Sequence, residues 1–179
     1  MANTYVPISS STVGSGGATS ITFSSIPATY TDLKLVLSAR GSQTAAYSGA
    51  YLMQVGNGSV DTAANYSWKE VYGSGSAAGS VGLTAQTSWD LTQGAGDSAG
   101  NTASTFTNIE IYLPNYAAAN AKSMSCDFVS EGNTTAGYQM MIAGLWSGTS
   151  AINIIKIGAG PSNTFVQYST AYIYGIKNS

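Results

Sequence analysis

The sequence predicts an all-β protein, an antiparallel β-sandwich of the jelly-roll type. Segments rich in β-branched and aromatic residues recur at intervals of roughly 8–16 residues, which is typical of sandwich strands. Turn-forming Gly, Asn, Pro and Ser residues separate these segments. No stretch has the apolar periodicity of an amphipathic helix, so helical layers are not expected.

The composition favours one ordered domain spanning residues 1–179. Only 8% of the residues are charged, but 44% are hydrophobic and 11% aromatic, which excludes a disordered chain. The net charge of −2 provides no basic field, so we expect neither nucleic acid nor a membrane surface as a partner. Neutral, hydroxyl-rich surfaces suit a protein packed into an assembly or exposed outside a cell.

The first half of the chain alternates short strands with polar turns. Leu33, Leu35 and Leu37 alternate with Lys34, Val36 and Ser38, the pattern of a half-buried strand. The dipeptide Asn57-Gly58 predicts a tight hairpin turn. Long loops are expected at 41–49 and at the Gly/Ser/Ala-rich stretch 73–100, which has room for one short strand. The predicted strands of this half are 4–11, 19–26, 33–38, 50–55 and 66–72.

The second half is more regular and ends in a long aromatic segment. Its predicted strands are 105–113, 122–130, 138–146, 152–158 and 165–176. The last strand is expected inside a sheet, because a long unpaired edge invites aggregation. Its larger side chains, from Val166 to Ile176, are expected to face the core. Its smaller ones (Ser169, Ala171 and Gly175) are predicted interface residues, at which another sheet or subunit approaches closely.

The residue types argue against enzymatic chemistry. The chain has no histidine, which removes Ser-His-Asp and Cys-His nucleophiles and most zinc and iron sites. No catalytic residue, metal or cofactor is therefore predicted. Glu110 and Asp127 are the best candidates for a glycosidase pair, but solvated acids on outward strand positions are the favoured interpretation. Cys126 is expected to be a buried core thiol.

Aromatic residues are the candidates for binding. Trp68 and Trp89 lie near predicted loops, and Tyr116 follows the Pro114-Asn115 turn. These three side chains form either a carbohydrate-stacking surface or contact area in a protein interface. For Trp68 and Trp89 a binding surface and a place in the core both stay open, whereas Trp146, after an apolar run, is expected in the core.

Four segments carry a resemblance to a known family. They are FSSIPATYTDL at 23–33, IEIYLPNY at 109–116, IAGLW at 142–146 and FVQYSTAYIYGIK at 165–177. With them the chain resembles a family of small virion structural proteins from tailed phages, especially those of marine cyanobacteria. The likeness runs from about residue 4 to the end and weakens across 41–100.

The resemblance implies a β-sandwich displayed on a virus particle. The first expectation is a capsid decoration protein that binds the phage major capsid protein and self-associates as a homotrimer. The alternative is a receptor-binding or glycan-binding module of a tail fibre or head fibre, with a host surface glycan as partner. The N-terminal segment lacks the features of a signal peptide. We therefore expect synthesis in the bacterial host cytoplasm and a final location on the virion surface.

Overall fold

A computed structural model describes residues 4–177, in which the chain is all-β with no helix. Residues 1–3, the start of the segment considered for a signal peptide, lie outside this range. No helix in the described part of the chain is long and apolar enough to cross a membrane. The strands are β1 (Tyr5–Thr12), β2 (Ser20–Phe23), β3 (Asp32–Ala39), β4 (Leu52–Asn57), β5 (Ser59–Val60), β6 (Tyr66–Gly73), β7 (Ala78–Gln86), β8 (Trp89–Asp90), β9 (Thr107–Leu113), β10 (Lys122–Glu131), β11 (Gly137–Trp146), β12 (Ile154–Gly158) and β13 (Thr170–Ile176).

The strands form two antiparallel sheets. One has eight strands in the order β1-β13-β3-β9-β10-β11-β6-β7. The other follows the order β2-β12-β4-β5, and β8 pairs with β4 beside β5. One continuous apolar core includes side chains of both sheets, among them Leu35, Phe128 and Ile157. The predicted all-β antiparallel sandwich is confirmed, while its jelly-roll connectivity stays a prediction.

The most regular strands follow the alternation in the sequence. In β10, buried and exposed residues alternate strictly from Lys122 to Glu131. This pattern places Cys126 in the core, as predicted, and burial raises the pKa of its thiol. The hairpin at Asn57-Gly58 is also confirmed, because Gly58 adopts positive φ between β4 and β5.

The stretch 73–100 is more ordered than its composition predicts. It contains the nine-residue strand β7 as well as the short strand β8. The prediction missed β7 because this strand is at the edge of the larger sheet, and most of its residues are exposed on both sides. Such a strand needs no apolar alternation, so its sequence resembles a loop.

The C-terminal segment corrects two predictions. The strand spans only Thr170–Ile176, because a turn at Gln167 and Tyr168, with Tyr168 at a φ of 73°, interrupts the extended chain. The expected interior position is confirmed, since β13 lies between β1 and β3. The side chains of β13 are oriented opposite to the prediction: Ala171 and Ile173 face the core, and Tyr172 faces solvent.

The buried Arg40 connects three segments at one end of the sandwich. It follows β3, and its guanidinium donates to the carbonyl oxygens of Asn101, Thr102 and Thr105 at 2.9, 2.7 and 2.9 Å. Its backbone N–H donates to the Ser169 Oγ at 3.1 Å. The long connection between β8 and β9 and the segment before β13 are therefore fixed to the end of β3.

We predict that Arg40→Ala lowers the free energy of unfolding by about 3 kcal/mol, because it leaves several buried carbonyl groups without a donor. Urea denaturation at neutral pH measures the effect. Lys34→Ala is the matched control, since it breaks the partly exposed Lys34–Glu110 ion pair and should cost less than about 1 kcal/mol. Equal losses for the two variants would show that the Arg40 network contributes little.

Candidate functional site

The three predicted binding residues are buried, which corrects that prediction. Trp68, Trp89 and Tyr116 are 3%, 0% and 0% exposed. The Trp89 ring packs edge-on against Tyr66 at 5.3 Å between centroids, and its Nε1 donates to the Leu145 carbonyl at 3.3 Å. No ring face remains for a ligand to stack on. Trp68 is buried because it is on the inward side of β6, which the smaller sheet covers. Trp146 is buried, as predicted.

The predicted interface residues are also buried within the chain. Ser169 and Ala171 are 0% and 1% exposed, and Gly175 is likewise buried. A Cβ on Gly175 would lie 2.3 Å from the Tyr30 ring, so the close approach that the small residues permit is made by this chain itself. The Ser169 Oγ is occupied by the Arg40 N–H. These residues are packing positions and are not available to a second subunit.

The two acids considered as a glycosidase pair face outward, as expected. Glu110 and Asp127 are exposed and directly opposite each other on β9 and β10. Glu110 pairs with Lys34, with 2.7 Å between Nζ and Oε2. The residues described by the structure include no cluster of three or more His, Cys, Asp or Glu side chains that could hold a metal ion.

Exposed apolar side chains concentrate on one surface. Seven of the nine large exposed hydrophobic residues project from the solvent-facing side of the eight-stranded sheet, which we call the outer face. They are Tyr5, Val71, Tyr112, Val129, Met141, Leu145 and Tyr172. An exposed patch of this kind is the surface feature that most often marks binding.

The part of the outer face formed by β11, β6 and β7 carries an exposed apolar pair, with Lys69 beside it. Val71 and Met141 are cross-strand neighbours and are 57% and 64% exposed. They stand among small residues, including Gly82, Ser125 and Ala143, around a shallow depression of about 670 Å³. The shape combines projecting apolar groups with room beside them, which suits docking of a complementary protein surface.

The neighbouring part of the outer face combines tyrosines with charges. Tyr5 and Tyr112 line a depression of about 330 Å³, together with the Lys34–Glu110 pair and Asp127. The Tyr112 hydroxyl donates to the Asp32 Oδ2 at 2.7 Å. This hydrogen bond, with a smaller contribution from burial, raises the pKa of Tyr112 to about 12 and fixes the ring in place.

A buried carboxylate lies on the opposite, inward side of the same sheet. Glu70 is 3% exposed, and neither of its oxygens has a hydrogen-bond partner among the described residues. Burial, with a smaller contribution from the nearby Asp90 charge, raises its pKa to about 7. The sequence prediction missed this residue, although its inward parity with Tyr66 and Trp68 was the signal that could have found it.

Comparison with known proteins does not identify the protein. The chain matches no protein-family model and no curated protein. One structurally similar chain is the binding domain of botulinum neurotoxin DC in complex with rat synaptotagmin II, with a TM-score of 0.28 and 8% identity over 89% of this chain. This chain spans only 37% of the length of that one.

A second similar chain is the CBM2 module of the evolved Dit of Lactobacillus casei BL23 phage J-1. Its TM-score is 0.28 and its identity 9%, over 89% of this chain and 69% of that one. TM-scores this low establish neither a shared topology nor a shared function with either protein.

We predict that Glu70→Gln stabilises the protein at pH 8 but not at pH 4. The folded pKa of about 7 exceeds the model-compound value of 4.5, so the folded state holds its proton more tightly and loses stability as the pH rises between these values. The penalty above the folded pKa amounts to roughly 3 kcal/mol. Urea denaturation of both proteins across this pH range measures it. A pH-independent difference between the two would contradict the burial of an unpaired carboxylate.

Proposed function

We propose that the protein is a non-enzymatic structural component of a phage virion that decorates the outer surface of the capsid shell. The observation that carries the proposal is the exposed apolar pair on the outer face, where Val71 and Met141 project side by side into solvent. Exposed apolar patches on folded domains mark protein-binding sites. The resemblance of four segments to small virion structural proteins is the reason for proposing that the protein is part of a phage particle.

The proposed partner is the phage major capsid protein, contacted through the outer face. Binding to the assembled shell stabilises it by mass action, because the decoration protein binds the intact particle and not its dissociated subunits. Self-association as a homotrimer at a threefold position of the shell is part of the same proposal. The protein would be made in the host cytoplasm and end on the particle surface.

Val71→Lys should weaken binding to particles at least roughly tenfold, since it places a strongly hydrated ammonium group in an apolar contact. Co-sedimentation with particles depleted of the protein measures the affinity. Tyr168→Lys is the control, because Tyr168 is 68% exposed but lies in a turn away from the outer face. Cryo-EM of native particles tests the location, and absence of the chain from the shell surface would refute capsid decoration.

A second candidate function is binding of a host surface glycan by a fibre module. It is favoured by the depression where the Tyr5 and Tyr112 rings meet the Lys34–Glu110 pair and Asp127. Aromatic rings offer flat apolar surface to the C–H faces of a sugar, and charged groups beside them bind its hydroxyls. The Asp32 hydrogen bond to Tyr112 holds one of these rings in a fixed orientation before binding.

Tyr112→Ala should abolish binding on a glycan array if this second function is correct, because it removes the fixed ring. Tyr112→Phe keeps the ring, loses its hydrogen bond to Asp32, and should bind with only a few-fold weaker affinity. Val71→Lys, outside this depression, serves as the control that separates the two functions. Unchanged glycan binding by Tyr112→Ala would exclude this part of the outer face.

A further inference from the structure

Glu70 interrupts a row of apolar side chains that crosses the inward side of the larger sheet. Strand pairing places Ile111, Cys126, Ile142, Glu70 and Val81 side by side. A carboxylate among these neighbours adds nothing to core packing and is costly to ionise there. Both of its oxygens are buried without a partner in the described part of the chain. Because both oxygens are also inaccessible to solvent, the carboxylate acts on a bound group through its charge and not through a direct hydrogen bond.

Glu70 belongs to the lining of a cavity of about 310 Å³ at one end of the sandwich. Three tyrosines (Tyr47, Tyr72 and Tyr138) form part of its wall. The rings of Tyr47 and Tyr138 meet at 62°, with 5.5 Å between their centroids. Ala77 and Gln93 at the rim are exposed, so the cavity can be reached from solvent.

The Tyr47 side of the cavity is held by its own hydrogen bonds. The Tyr47 hydroxyl donates to the Ala136 carbonyl oxygen and accepts from the Gly132 N–H at 3.2 Å. The Tyr47 backbone N–H donates to the Asn101 Oδ1 at 2.8 Å. The ring is thus fixed at both ends in the absence of any ligand, and preorganisation of this kind reduces the entropic cost of binding.

The charge around the cavity has a single sign. None of the residues lining it is a Lys or Arg. Asp90 is close enough for its charge to raise the pKa of Glu70, and the tyrosine ring faces add negative potential. An anion is disfavoured there, and a metal ion would find one carboxylate and no cluster of ligating side chains among the described residues.

We infer that this cavity is a binding site for an organic ammonium group, held by the Glu70 carboxylate and the faces of Tyr47, Tyr72 and Tyr138. Aromatic walls bind ammonium groups through cation–π attraction, which is strongest when the cation is desolvated. The buried carboxylate gains in this way the partner that the protein does not provide. The cavity is on the inward side of the sheet, opposite the outer face.

Isothermal titration calorimetry with choline tests the site. Its neutral isostere dimethylbutanol, in which carbon replaces the ammonium nitrogen, has the same shape without the charge. We expect the protein to bind choline at least roughly tenfold more tightly than dimethylbutanol. Methylammonium in a third titration tells whether a primary ammonium group is also accepted. Equal affinities for choline and dimethylbutanol, or no binding of choline, would overturn the inference.

Glu70→Gln should weaken choline binding by roughly tenfold to a hundredfold, because a neutral amide replaces the negative charge of the carboxylate. Glu131→Gln is the matched control: it removes a negative charge from the exposed side of the same sheet end and should leave the affinity unchanged. Tyr138→Leu should weaken choline more than dimethylbutanol. Thermal unfolding verifies that each variant is folded, and equal choline affinity of Glu70→Gln and the unsubstituted protein would refute the role of the carboxylate.

The pH dependence provides an independent test. The titratable groups around Glu70 are Asp90, whose own pKa is raised by burial, and the three cavity tyrosines. Because the Glu70 pKa is about 7, choline affinity should rise roughly tenfold between about pH 6 and pH 8 as the carboxylate ionises. Glu70→Gln should remove this dependence. A dependence that persists in Glu70→Gln would assign it to another group and overturn the inference.

Discussion

The hydrogen bonds of the Arg40 guanidinium are the interaction on which one end of the sandwich depends. Its hydrogen bonds to three carbonyl groups between Asn101 and Thr105 order a connection that has no regular structure of its own. Asn101 in turn accepts a hydrogen bond from the Tyr47 backbone N–H through its Oδ1. One buried cation therefore fixes the loop that carries a wall of the Glu70 cavity, although it is not in contact with that cavity.

The two buried cations differ from Glu70 in how the protein satisfies their charge. Arg40 and Lys122 are both buried, and backbone carbonyl groups satisfy both of them; Lys122 donates to Ala118 at 2.8 Å and to Ser150 at 3.0 Å. Carbonyl partners of this kind tie loops to strands and offset the cost of removing a charge from water. Glu70 receives no such compensation. This contrast separates the structural charges from the one that we assign to ligand binding.

The inward side of the larger sheet forms most of the core, whereas the outer face is uncovered by the described chain. On the inward side, apolar rows from β13 to β11 are covered by the smaller sheet and account for most of the core. On the outer face nothing in the chain covers Val71 or Met141, so their apolar surface contributes little to folding. Apolar groups retained at such positions despite their cost in solubility are best explained by a contact with another molecule.

The sequence by itself determined the strand class and, in the regular strands, which residues face the core. The alternation is strict in β9 and β10, so the burial of Cys126 and the exposure of Glu110 and Asp127 followed from parity alone. Edge strand β7 was not predicted, because a strand exposed on both sides has no alternation of apolar and polar residues in its sequence.

Only the tertiary structure decided what covers each side of a strand. Alternation along the last strand separates its small residues (Ser169, Ala171 and Gly175) from its larger ones, but it does not say which set is buried. In the structure Tyr30 fills the space above Gly175, and the small set faces inward. The burial of Trp68 likewise depends on the smaller sheet packing over it. The Glu70 cavity joins residues from four separate parts of the chain, and such a long-range juxtaposition leaves no local pattern in a sequence.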